Sequence, residues 1–204
     1  MRDLNKALGD IAVLRTQMAR TSEFRGYGPT TLGATGALAV LGAVLQAHFL
    51  PEPASDVVGY LTLWIAVAGL SIVLIAIEVV TRSQRAHSGL ANEMIHLAVE
   101  QLLPPIGTAV LLTCVMVRTA PQSLWMLPGL WQILLSLGAF ASSRSVPRPM
   151  IAIGAWYLVT GLSCIGFADG ANAFSPIAMG VPFGLGQVLA AALIHYQVKT
   201  DEEN

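Results

Sequence analysis

Two glutamines set deep in apolar sequence, Gln132 and Gln187, are the side chains whose chemistry most needs an account. A carboxamide carries two N–H donors and an acceptor oxygen, and lipid supplies no partner for any of them. Leaving such a group unpaired in an apolar medium is costly. Each glutamine follows a proline by one turn or slightly more, Pro128 and Pro182. A proline within a helix frees a carbonyl and can bend the axis. A freed carbonyl beside a carboxamide could coordinate a small polar solute or ion. The plainer reading is that both glutamines bond across to neighbouring helices as packing glue, an effect of roughly 0.6–2 kcal/mol. Ser136 lies one turn beyond Gln132 and widens the polar patch on that helix.

Glu78 is the only acid inside an apolar run, with Arg82 one turn further on. An i, i+4 Glu–Arg pair at the membrane interface needs no function; a proton-coupling role would require Glu78 to face a cavity. Glu93, His96 and Glu100 contain a Glu-x-x-His step of the kind that supplies ligands in di-iron bundles. The second such step and the further carboxylates those sites require are missing from the sequence, so a solvated polar face is the plainer reading. No metal or other cofactor is expected. Haem is disfavoured because His48, His87, His96 and His195 fall at unequal depths. Cys114 and Cys164 each lie about four residues from a helix end and read as free thiols, although level depth makes a disulfide conceivable. Neither a serine triad motif nor a phosphate-binding glycine loop is visible, so no catalytic residue is assigned.

The elements that must position these groups are membrane spans. Of 204 residues, 54% are hydrophobic and only 11% charged, against about 25% charged in an average soluble domain. So few charges cannot cover a water-facing surface, and a net charge of −1 offers no field for nucleic acid. Spanning the hydrocarbon as a helix takes about 20 residues, and the apolar runs predict six spans at roughly 31–49, 57–80, 103–117, 124–142, 149–167 and 176–196. With the N-terminus inside, Arg2, Lys6, Arg15, Arg20, Arg25, Arg82, Arg85, Arg144, Arg148 and Lys199 are all cytoplasmic, and only Arg118 is outside. That asymmetry gives an N-in, C-in topology by the positive-inside rule. The third span is the shortest and begins at Pro104-Pro105.

Residues 1–28 form a polar leader without the pattern of a secretory signal and are expected to stay on the mature chain; 199–204 form a cytoplasmic tail. Leu4, Ala7, Leu8, Ile11, Leu14 and Met18 share one face at helical spacing, and 87–103 is likewise amphipathic. Both segments fall on the cytoplasmic side, either lying in the membrane interface or docking a protein partner. An internal repeat is suggested by Leu112-Thr113-Cys114-Val115 against Leu162-Ser163-Cys164-Ile165, and by Gly129–Leu134 against Gly184–Leu189. Gly33, Gly36, Ala39 and Ala43, with Gly180 and Gly184, are small residues at helix-packing spacing.

The sequence thus describes an all-α, polytopic helical membrane protein of about six spans with two cytoplasmic-side amphipathic helices, a multi-pass protein of the plasma membrane (the inner membrane if bacterial). Three functions remain open. The first is a regulatory, sensory or assembly subunit engaging a cytoplasmic or membrane partner, with self-association into a homo-oligomer also open. The second is a small-solute or ion carrier or channel using the midplane glutamines. The third is a metal-binding membrane enzyme using Glu93, His96 and Glu100.

Overall fold

Proline opens three of the described helices, where its missing N–H costs nothing because first-turn amides lack an intrahelical partner. The computed structural model describes residues 28–85, 91–142, 149–167 and 170–202; the leader before Gly28 lies outside them. The helices are α1 (Pro29–Phe49), α2 (Val57–Arg85), α3 (Ala91–Thr119), α4 (Leu127–Ser142), α5 (Pro149–Gly166) and α6 (Pro176–Glu202). Two short 3-10 turns, Pro121–Met126 and Gly170–Phe174, precede α4 and α6. No strand occurs among the described residues. Among the described residues, four stretches are long and apolar enough to cross a membrane: Pro29–Phe49, Val57–Thr81, Pro121–Ala141 and Asn172–Leu193. Leu103–Thr119 and Ile151–Gly166 are shorter apolar helices.

At Pro104-Pro105 the helix does not break. The amphipathic segment and the third apolar run, expected as separate elements, form the single helix α3. Two adjacent prolines remove the bonds that would reach the carbonyls of Glu100 and Gln101, four residues back. Those carbonyls fall beside the exposed Glu100, at the polar end of the apolar run.

Each helix packs on its sequence neighbours, and α6 returns to α1, so the six close into a ring. The broadest contacts are α1 with α6 and α4 with α5. Glycine explains both. A Cβ on Gly129 of α4 would stand 2.6 Å from the Gly161 carbonyl of α5, and one on Gly161 would stand 2.8 Å from the Gly129 carbonyl. On the other side of the ring, Gly36 of α1 lies against the Gly184 carbonyl, and Gly180 lies against Ala43. The small residues expected to pack are therefore partners of one another. Gly33 is the exception, with open space around it; three residues of helix rotate it about 60° away from Gly36.

Two cores form at opposite ends of the ring. Where α1 finishes and α2 begins, Tyr60, Trp64, Leu127, Phe174 and Met179 pack together beneath the two 3-10 turns. Leu32, Ile153, Tyr157 and Ala190 make the second core. Because the crossings leave no room for a side chain, Gly129→Val and Gly180→Leu should each cost about 1–3 kcal/mol, as overpacked cores do. Gly33→Ala and Gly69→Ala, with nothing within 4 Å, should unfold in detergent at or above the wild-type midpoint. Equal losses at all four positions would contradict the crossing.

Candidate functional site

Pro182 lies inside α6 and has no N–H to give to the Ala178 carbonyl one turn earlier. A carbonyl left bare in this setting is expensive, and a side chain from another helix takes it. Gln132 of α4 donates from Nε2 to Ala178 O at 2.9 Å. Cys164 of α5 stands at the same place, its Sγ 3.5 Å from both Gln132 Nε2 and Ala178 O. Three helices are thereby joined at one proline-freed carbonyl. Pro128, by contrast, sits in the first turn of α4 and interrupts nothing.

Gln132 is fully buried, yet its Oε1 has no hydrogen-bond partner. Ser136, also fully buried, does not extend the interhelical patch; its hydroxyl donates to the Ile133 carbonyl of its own helix at 2.7 Å. Gln187 is half-buried on α6 and its Oε1 is also unpartnered. The fully buried Tyr157 hydroxyl of α5 lies beside the Gln187 carboxamide without closing a hydrogen bond to it. No hydrogen bond joins the two glutamines. They do share a setting: a Cβ on Gly161 would lie 3.1 Å from Gln132 Cβ, and one on Gly36 would lie 3.1 Å from Gln187 Cβ. Each Gly-x-x-Gln step, 129–132 and 184–187, thus seats its glutamine on a glycine of the adjoining helix.

A third carboxamide, overlooked in the sequence, is the best satisfied. Gln46 near the end of α1 is fully buried, donates to Phe174 O at 2.6 Å and accepts from Trp64 Nε1 at 2.8 Å. It fastens α2 and the Gly170–Phe174 turn to α1. A carboxamide one turn inside a span, with a tryptophan early in the next, was the available signal, since an indole N–H must find an acceptor when buried. Trp131 Nε1 reaches Thr113 Oγ1 at 3.0 Å, and Trp156 Nε1 reaches Pro182 O at 2.9 Å. Three of the five sequential helix pairs, α1–α2, α3–α4 and α5–α6, are therefore each closed by one indole.

Glu78 is partly buried in α2, and its Oε1 accepts the Gly28 N–H at 2.9 Å. This bond secures the start of α1 at the point where the leader joins it. Arg82, the expected partner, belongs to the same helix, but its side chain lies outside the described residues. So do the side chains of Glu93 and His96 on α3; Glu100 is exposed. Among the described residues no three of His, Cys, Asp and Glu gather as a metal would require. Cys114 is an exposed free thiol and Cys164 a half-buried one. Compared with known protein families, curated proteins and solved structures, the chain matches none of them.

If Gln132 serves the carbonyl that Pro182 frees, the two residues are coupled. Gln132→Leu should cost roughly 0.6–2 kcal/mol, and distinctly less in a Pro182→Ala background, where a restored N–H satisfies Ala178 O. A double-mutant cycle by unfolding in mixed micelles measures this. Identical costs in both backgrounds would remove the coupling.

Proposed function

We propose that the chain is a non-catalytic membrane module, a regulatory or assembly subunit that engages a partner protein from the cytoplasmic side. In this reading all six helices cross the bilayer, with both termini inside as the Lys and Arg distribution requires. The observation that carries it is the continuity of α3. Its 29 residues measure about 43 Å at 1.5 Å each, well beyond the apolar portion Leu103–Thr119. The amphipathic half then continues the span as one helix. Contact made on that extension reaches the bundle directly. The Gly28–Glu78 bond supports the same reading, since it ties the leader's attachment point to α2.

Photo-crosslinking in cells tests this. A crosslinker at His96 should give a discrete heteromeric adduct, and one at Val110, an exposed apolar position, should give none. A tag on either end should be reached only after the cytoplasmic side is opened. A chain that stays alone when crosslinked from His96 and from the leader would end the proposal.

A small-solute carrier is the second reading, favoured by the buried oxygens that the bundle leaves unpaired: Tyr60 Oη, Gln132 Oε1, Tyr157 Oη and Gln187 Oε1. Reconstituted protein should then pass a neutral polar solute, with flux lowered in Gln132→Leu and Gln187→Leu while both variants keep their fold. Wild-type flux in both variants would leave the glutamines no role in transport.

A further inference from the structure

Pro182 stands between the two cores, and α6 enters both. On the outer side of the proline, Met179 is buried in the core beneath the 3-10 turns. On the inner side, Ala190 is buried with Leu32, Ile153 and Tyr157. Phe183, next to the proline, packs against both cores. The outer part of α6 is held by Gln132 of α4 through Ala178 O at 2.9 Å, and the turn before it by Gln46 through Phe174 O. The inner part begins where Trp156 of α5 donates to Pro182 O at 2.9 Å. Two carbonyls of α6, one turn apart, therefore take their donors from different helices.

A helix bends where its ladder of backbone bonds is interrupted, and proline is the usual cause. In α6 the interruption lies between two glycines. Gly180 rests on Ala43 of α1 and Gly184 on Val40, so α1 crosses the helix at the break and serves as a fulcrum. What spans the break is a side-chain bond from another helix, and such a bond can be given up without unwinding either helix. We propose that Pro182 is a joint in α6. With Gln132 on Ala178 O the helix keeps one angle; when that bond is released, the inner part, residues 183–202, swings to a second angle while 176–181 stay with the outer core. The two ends of the bundle are then able to change shape separately. Gln132 acts here as a positioning residue that selects the angle. The joint goes beyond both functional readings, since it needs neither a cytoplasmic partner nor a solute.

Distances between paired spin labels on the full chain in lipid nanodiscs test this. One label replaces Leu137 on α4 and the other Tyr196 on α6, both exposed, with Cys114→Ala and Cys164→Ala in every variant alike. Tyr196 lies fourteen residues past Pro182, about 21 Å along the helix. A bend of about 20° at the proline carries it some 7 Å (roughly 21 Å times the sine of that angle). Two distance populations separated by about this amount are expected with Pro182 and Gln132 in place. Pro182→Ala restores the backbone bond to Ala178 O and should leave one population. Gln132→Leu should raise the swung population at least about threefold, the lower end of what one interhelical hydrogen bond holds. Should Gln132→Leu fail to fold, Pro182→Ala keeps the test decisive. A single population with Pro182 present, or two that persist in Pro182→Ala, would overturn the joint.

Discussion

The ring stands on the contact between helices that have almost nothing between them. Lipid tails are as apolar as the side chains they would meet, so burial gives helices little reason to associate within a bilayer. Association must come from close packing and from hydrogen bonds. At Gly129–Gly161 the backbones approach until even a methyl group would collide with a facing carbonyl, and at Gly36 a methyl group would stand tightly, 3.2 Å from the Gly184 carbonyl. These crossings join α4 to α5 and α6 to α1, the two broadest contacts in the molecule. Without the second, the chain would be a row of hairpins with two free ends.

The polar groups follow from that geometry. Once backbones are this close, side chains one turn away are placed to reach across. Gln132 follows Gly129 and takes the carbonyl that Pro182 leaves bare. Gln187 follows Gly184 and comes to rest beside Tyr157. The indoles of Trp64, Trp131 and Trp156 close α1–α2, α3–α4 and α5–α6, one each. Most hydroxyls in the spans satisfy themselves by bonding back to their own helix, as Thr35, Ser71 and Ser136 do. Few buried side-chain oxygens among the described residues are left without a partner.

Function has to be sought where the bundle is not spent on holding itself together. One such place is the extension of α3, which carries an amphipathic pattern beyond the apolar run. The other is the end of the ring beneath the 3-10 turns, where Gln132 and Tyr60 each keep an oxygen without a partner.

Much of this was legible in residue order because lipid imposes a simple rule. A backbone in hydrocarbon must satisfy itself, so apolar length alone specifies helices. Small residues at three- and four-residue spacing likewise marked the faces that pack, and the two glutamines stood out by being polar among apolar neighbours. What sequence could not say was which faces meet. Gly36 and Gly184 are far apart in the chain, and only ring closure makes them partners. The pairing of Gln46 with Trp64 left a trace in the sequence, but its other partner did not, because that acceptor is a backbone carbonyl 128 residues away. The double proline at 104–105 read as a boundary, yet α3 passes through it; losing two hydrogen bonds is tolerated where the freed carbonyls lie at the polar end of the run. Gln132 itself was visible as a residue that needed a partner. That the partner is the carbonyl freed by Pro182, with one oxygen left over, is a fact of distance, and distance across a ring is decided only when the ring closes.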